Sequence, residues 1–373
     1  MMKTDKKGLY VHIPFCVKKC NYCDFCSFSE ISSKDKEAYI SVLCNEILSY
    51  KGRDIAIDTV FFGGGTPTLL SVDDMRKITY TIKESFLLDN SVEFTMEANP
   101  GTVDYDKLSG FVSCGVNRFS IGLQTIHENE LKKLGRIHAY DDFLSTYRNL
   151  RNLGVNNINV DIMYGIPLQT VDSFKETLQT ICDLSPEHLS VYGLILEEGT
   201  PFFKSISELQ LPTEDTECDM YAQACEILKK HGYEHYEISN YSKPGYASKH
   251  NMKYWRLSEF IGVGLSAYSY LDSKRFGNTR NLHKYINGID VCEYCEDIDF
   301  PSKKYEYAML ALRLKDGILL SEYSNLFSED FLVGREEIIS RLCEGGYINK
   351  CPDRISLTEK GFYVSNYIIT ELL

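Results

Sequence analysis

The cysteines at positions 16, 20 and 23, in the run Cys16-Val17-Lys18-Lys19-Cys20-Asn21-Tyr22-Cys23, are the residues of this chain best suited to chemistry. The C-x3-C-x2-C spacing supplies three soft thiolates to a four-iron, four-sulfur cluster and leaves one iron without a protein ligand. Such an iron can be chelated by a small molecule carrying neighbouring amino and carboxylate groups. S-adenosylmethionine is one, and an electron passed to its sulfonium would split it to a radical. Structural zinc is the plainer alternative, but it calls for four ligands in paired C-x2-4-C knuckles. Cys26 extends the series by a further C-x2-C. Three roles are open to it: a fourth ligand that closes the cluster, a nearby spare thiol, or a position that exchanges with an external ligand. The spare thiol is the favoured one. The pair Cys292-Glu293-Tyr294-Cys295 stands alone among acidic residues, and the remaining cysteines read as ordinary thiols.

Around this triplet the chain alternates two periodicities. Short apolar, β-branched or aromatic runs at 9–13, 59–62, 92–97, 118–123, 157–164 and 188–196 read as strands. Between them, 34–50, 72–86, 104–114, 141–153 and 171–183 carry helical spacing. Repeated βα units imply a parallel sheet, and six units fall short of the eight of a closed barrel. The expected fold class is therefore α/β, a partial (βα)6 TIM-like barrel.

Ligands of such sheets sit at the carboxyl ends of the strands, where this sequence concentrates its unusual residues. The cysteine loop follows the first strand, and Gly63-Gly64-Gly65-Thr66-Pro67 follows the second. Consecutive glycines let backbone approach a ligand closely and aim N–H groups at it. The third strand ends at Glu97, the fourth at Gln124, and the fifth carries Asp161 before Gly165. Carboxylates in these places suit ribose hydroxyls or an ammonium, and an amide offers both donor and acceptor. Singly, each reads as a cap or an edge hydrogen bond; their recurrence at one end of successive strands points to a shared site.

Composition excludes other classes. The 373 residues, 43% hydrophobic and 25% charged, are ordinary for a globular protein. A net charge of −13 argues against a nucleic-acid partner. The longest apolar stretch, near 260–271, is too short to span a bilayer. Residues 1–7 lead straight into the first strand with no signal-peptide pattern, and thirteen scattered cysteines suit a reducing compartment. A cytoplasmic protein is expected.

Several motifs resemble a known family. They are Tyr10-Val11-His12-Ile13-Pro14-Phe15-Cys16, Gly63–Pro67, Met96-Glu97-Ala98-Asn99-Pro100-Gly101, Gly115 to Gln124, Leu134-Gly135-Arg136-Ile137-His138, Asp161 to Pro167 and His250-Asn251-Met252-Lys253-Tyr254-Trp255. The chain resembles the radical S-adenosylmethionine enzymes over essentially its whole length, within them the coproporphyrinogen-oxidase-like group, and there its heme chaperones. The resemblance implies Cys16, Cys20 and Cys23 as cluster ligands, and Tyr10, Tyr22, Gly64, Gly65, Thr66, Glu97, Gln124, Arg136 and Asp161 around S-adenosylmethionine. The oxidases carry a further cysteine where this chain has Phe25, and a longer segment ahead of the triplet than the 15 residues here. His250 is the candidate heme ligand, with Tyr254 and Trp255 against the macrocycle and Lys249 and Lys253 near its propionates. Residues 1–235 would form the barrel, 236–300 connecting strands with the heme-binding segment, and 301–373 a winged-helix-like module. The implied activity is delivery of heme to apo-hemoproteins of respiratory enzymes, with peripheral membrane contact and a homodimer both compatible. The alternatives are oxidative decarboxylation of coproporphyrinogen III to protoporphyrinogen IX and plain iron–sulfur electron transfer.

Overall fold

The structure, a computed structural model, describes residues 6–373. Most of the stretch 1–7, expected to carry no leader, lies outside the described residues. Six strands run parallel in sequence order: β1 (Lys7–Ile13), β2 (Ala56–Gly64), β3 (Leu87–Ala98), β4 (Arg118–Gln124), β5 (Ile158–Tyr164) and β6 (His188–Gly193). Strict alternation along them sorts the side chains. Leu9, Val11 and Ile13, then Phe94 and Met96, then Phe119, Ile121 and Leu123, then Ile158, Val160 and Ile162 face one hydrophobic core beneath the outer helices. Burying each such side chain contributes about 1.5–3 kcal/mol. The intervening positions, among them His12, Glu97, Arg118, Ser120, Gln124, Asn159, Asp161 and His188, face the lumen instead.

The outer helices begin where the sequence can satisfy their first N–H groups. Ser32 accepts from Asp35 N ahead of the helix Ser33–Leu48, and Ser71 with Asp74 and Thr170 with Ser173 form capping boxes for Val72–Ser85 and Val171–Leu184. The helices therefore start at the expected places. The strand expected at 92–97 starts five residues earlier, because Leu87 N donates to Ile55 O and Leu87 and Leu88 pair with Ala56 and Ile57 before a bulge. The polar Asp89-Asn90-Ser91 within it resembles a turn.

The sheet continues past both ends of the six-stranded unit. β7 (Glu234–Glu237) and β8 (Asn240–Ser242) add antiparallel beside β6. β9 (Phe260–Val263) lies parallel to β1, followed outward by antiparallel β10 (Tyr268–Leu271), β11 (Lys274–Asn278) and β12 (Cys292–Asp297). The result is one open sheet of twelve strands, the partial barrel expected, with β7 and β12 as its edges. Residues 236–300, expected as connecting strands, thus complete the sheet on both sides. The apolar stretch near 260–271 is a tight hairpin: Gly264 has φ +100°, its N–H donates to Glu46 and that of Leu265 to Tyr39.

Between β8 and β9 the helix Lys249–Trp255 closes the amino-terminal end of the barrel. Ser248 caps it, and the N–H groups of Lys249 and His250 both donate to the Glu93 carboxylate at 3.1 Å. His250 is 1% exposed, with one ring nitrogen bonded to Thr59 Oγ1 at 2.9 Å and the other to Tyr254 OH at 2.8 Å. Burial holds its pKa near about 3, so the ring is neutral. The expectation of His250 as a heme ligand does not agree with this geometry, because both ring nitrogens are engaged by neighbouring hydroxyls. The motif around His250 instead plugs the barrel.

Beyond residue 300 a second core gathers Tyr307, Tyr323, Phe331, Ile339, Leu342 and Ile355. The helices Phe300–Ala311, Leu320–Phe327 and Glu336–Glu344 surround a small sheet of β13 (Ile318–Leu319), β14 (Ile348–Lys350) and β15 (Arg354–Leu357). Two short helices, Glu359–Tyr363 and Ser365–Leu372, follow the small sheet. Among the described residues no helix is long and apolar enough to cross a membrane.

The barrel plug gives the first prediction. His250→Ala leaves the Thr59 and Tyr254 hydroxyls without partners and should cost about 1–3 kcal/mol in urea unfolding. Unchanged stability would remove His250 from the plug.

Candidate cluster and cofactor site

The loop after β1 is closed at its base and pinned at its tip. Cys16 N donates to Phe28 O at 2.9 Å and Phe28 N to Pro14 O at 2.8 Å, which joins the two ends. At the far side Asn21 N donates to Leu134 O and Asn21 Nδ2 to Lys133 O, at the end of the helix Glu128–Leu134. That helix ends on Gly135 at φ +77°, where a Cβ would lie 3.0 Å from Asn21. The position needs glycine both for the left-handed turn and for the loop's close approach. Arg136, next in sequence, is thereby turned inward.

Cys16, Cys20 and Cys23 are half-buried and line a cavity of about 380 Å³ at the carboxyl ends of the strands. Thr66 Oγ1 points its hydroxyl at Cys16 Sγ, 3.7 Å away, and accepts from Asn99 Nδ2 at 2.8 Å. The opposite wall is polar and buried. Glu97 Oε2 accepts from Gly64 N at 3.0 Å; burial, then the charge of Asp161, pushes the Glu97 pKa up to about 7. Asp161 accepts from Asn159 Nδ2 at 2.7 Å, and its pKa is also raised by burial. Arg136 donates to Asn99 Oδ1 at 2.8 Å and to Tyr22 OH at 3.1 Å, while its Nε is buried without a partner. Burial pushes Tyr22 up to about 12 and keeps it a phenol. A register irregularity at the end of β4 puts Gln124 at φ +76°, where its Oε1 accepts from Tyr192 OH at 3.0 Å.

The glycine turn works differently from the expectation that its N–H groups face a ligand. Gly64 N is bonded to Glu97, Gly65 N to Ile13 O and Thr66 N to Phe15 O. Space is what the glycines supply. A Cβ on Gly64 would strike the His12 ring at 2.4 Å, and one on Gly65 would lie 2.7 Å from Phe15 O.

Tyr22, Gly64, Gly65, Thr66, Glu97, Gln124, Arg136 and Asp161 all line the cavity with the three cysteines. Tyr10 does not: its hydroxyl bonds His12 Nδ1 at 2.9 Å and its ring lines a neighbouring cleft. Cys26 lines that cleft and not the cavity of the triplet. Sequence reasoning missed Asn99, Tyr192 and His12. Asn99 stands two residues past Glu97, and Tyr192 and His12 occupy lumen-facing positions of β6 and β1, so the alternation of each strand was the signal that marks them.

These residues suit an open four-iron cluster with S-adenosylmethionine. Three thiols stand on one wall, a buried carboxylate pair able to hold an ammonium or ribose on another, and the unpartnered Arg136 Nε is a donor awaiting an acceptor. A volume of about 380 Å³ is within the usual range for small-molecule sites.

A partial barrel with this loop at its mouth defines a radical S-adenosylmethionine protein, and residues 10–181 match the Radical SAM superfamily. The full-length relatives narrow the assignment. A protein of Lactococcus lactis named heme chaperone HemW is 34% identical over 376 residues, covering 100% of this chain and 98% of that one. Its Escherichia coli namesake is 34% identical over 99% of this chain and 98% of its own, and the Bacillus subtilis one is 31% identical over 98% and 99%. This chain belongs to the HemW family. Among solved structures, coproporphyrinogen III oxidase (HemN) of Escherichia coli superposes with a TM-score of 0.85 over 99% of this chain and 90% of its own, at 21% identity, a likeness of fold. Membership of the superfamily implies a four-iron, four-sulfur cluster and S-adenosylmethionine.

Cys16→Ser, Cys20→Ser or Cys23→Ser should each abolish cluster iron in the anaerobically reconstituted protein, whereas Cys26→Ser should retain it; iron and sulfide analysis decides. An amino N–H donates to Glu97 most strongly when that carboxyl is ionised, so calorimetric affinity for S-adenosylmethionine should rise from about pH 6 to about pH 8 and then level off. Glu97→Gln should weaken binding and flatten the profile; a wild-type profile already flat would contradict the raised pKa.

Proposed function

We propose that this chain is a heme chaperone that holds a four-iron cluster and S-adenosylmethionine at its barrel mouth and passes heme to apo-hemoproteins. The supporting observation is that relatives carrying the heme-chaperone name match this chain from end to end at 31–34% identity. The oxidase likeness, at 21% identity, extends to fold alone. In this reading Cys16, Cys20 and Cys23 hold the cluster. Glu97 and Asp161 accept from the amino N–H and the ribose hydroxyls of S-adenosylmethionine, Gln124 bonds its polar edge, and Tyr22 flanks it. When bound, the cluster supplies an open iron and an electron. Arg136, held by Asn99 and Tyr22, contributes positive charge opposite the carboxylates, and the buried walls exclude water. The acceptors in this proposal are respiratory hemoproteins reached at the membrane surface.

The full chain, cluster-reconstituted and loaded with hemin, should transfer its heme to an apo-cytochrome of b type, followed by the acceptor's Soret band. In a parallel anaerobic assay with reductant, S-adenosylmethionine and coproporphyrinogen III, no protoporphyrinogen should form. Protoporphyrinogen at catalytic turnover would replace the chaperone reading with the oxidase one.

A further inference from the structure

Beneath the cavity the lumen holds a buried histidine, His188 of β6, which is 0% exposed. The parallel register sets it beside Asn159 of β5, and Asn159 beside Ser120 of β4. Asp161, two residues further along β5, shares the lumen face with Asn159. Asp161 and Ser120 line the cavity with the three cysteines; Asn159 and His188, one step deeper, do not.

Hydrogen bonds run from this ring to the cavity in a single polarity. Burial, and then the Arg118 charge, hold the His188 pKa well below the usual imidazole range, so the ring is neutral and has one N–H to give. Nδ1 donates to Asn159 Oδ1 at 2.6 Å, which leaves Nε2 to accept from Tyr236 OH of β7 at 2.7 Å. That hydroxyl in turn accepts from Ser248 N at 3.2 Å. With its oxygen engaged on this side, the Asn159 amide presents Nδ2 to the other. There it donates to Asp161 Oδ1 and to Ser120 Oγ, each at 2.7 Å. The opposite tautomer of His188 would turn the amide round and set Asn159 Oδ1 against the Asp161 carboxylate, acceptor against acceptor. Ser190 Oγ also reaches Asn159 Oδ1, but at 3.2 Å. Asp161 has no comparable second hold, because Ser120 Oγ lies 3.4 Å from each of its oxygens. The bond from Asn159 therefore governs where this carboxylate points, and it leaves Oδ2 without a short bond.

We propose that His188 is a positioning residue of the cofactor site: its Nδ1–H orients the Asn159 amide, and that amide aims Asp161 at the hydroxyl and amino N–H groups of the ligand. The proposal rests on the reading of this cavity as the S-adenosylmethionine site and adds to it the group that sets one carboxylate's geometry. His188 itself touches no ligand. The polarity is anchored at its far end by the Ser248 backbone N–H, which can only donate. A carboxylate held in this way has less freedom to lose on binding.

Calorimetric titration of the full, cluster-reconstituted chain with S-adenosylmethionine tests the role through two amides that differ in where their N–H falls. His188→Asn places a donor near the position of Nδ1, and His188→Gln places one near that of Nε2. His188→Gln should bind on the order of tenfold more weakly than the wild type. His188→Asn should bind several times more tightly than His188→Gln, although it leaves the larger void. In an Asp161→Asn background, already weakened, adding His188→Gln should bring no further loss, since the carboxylate to be positioned is gone. Tyr236→Phe is the milder probe and decides the matter if the His188 variants do not fold. It should weaken binding by about threefold, and that effect should also vanish beside Asp161→Asn. Equal losses in His188→Asn and His188→Gln, or losses that add to that of Asp161→Asn, would reduce His188 to a packing residue and overturn the proposal while leaving the cofactor reading intact. A wild type that binds no S-adenosylmethionine would overturn both.

Discussion

The lumen of this barrel is lined by polar side chains sealed away from water, and that constraint shapes the molecule. Buried polar groups cost free energy unless they pair. The Asn159 side chain alone bonds Ser120, Asp161, His188 and Ser190, tying β4, β5 and β6 together from within. Lower down, Glu93 cannot be left bare, and the first N–H groups of the helix Lys249–Trp255 satisfy it. Pairing is incomplete at Thr95 Oγ1 and Arg118 Nε within the lumen and at Arg136 Nε at the mouth, where the Glu97 carboxyl also has a raised pKa. The same strand alternation that builds the core therefore leaves unsatisfied polar groups where a charged ligand fits.

Placement of the thiols depends on attachments far from them in sequence. The loop bearing Cys16, Cys20 and Cys23 has little regular structure of its own. It is anchored to the helix Glu128–Leu134 through Asn21, and Phe202 N donates back to Asn21 O at 3.0 Å. Gly135 is what permits this approach, and it also turns Arg136 toward the cavity. A loop held from two directions has less freedom to lose on binding, which favours affinity.

Much of this was readable from residue pattern. The six strands, their helices, the cysteine triplet and the residues Glu97, Gln124 and Asp161 all obey local rules of period, capping and spacing, and the structure brings them to one end of one sheet. What escaped was set by tertiary packing. The β3 start is concealed by Asp89-Asn90-Ser91, whose turn-like composition is overridden by pairing with β2. The Gly64 and Gly65 amides looked free in sequence, but the Glu97 carboxylate and Ile13 O use them. His250 looked like a ligand because it stands beside Tyr254 and Trp255; its burial under Thr59 depends on how a short helix folds back against the barrel floor. Tyr10 shares β1 with the cluster loop, yet it faces the adjoining cleft.

Asp24 and Phe25 form a wall common to both cavities, so the two spaces are separated by the thickness of one loop. A ligand that fixes this wall from one side changes the free energy of filling the other. Thermodynamic linkage makes the effect mutual: whatever factor the first occupant imposes on the second, the second returns. Fixing that partition from either side would bear on the space behind it.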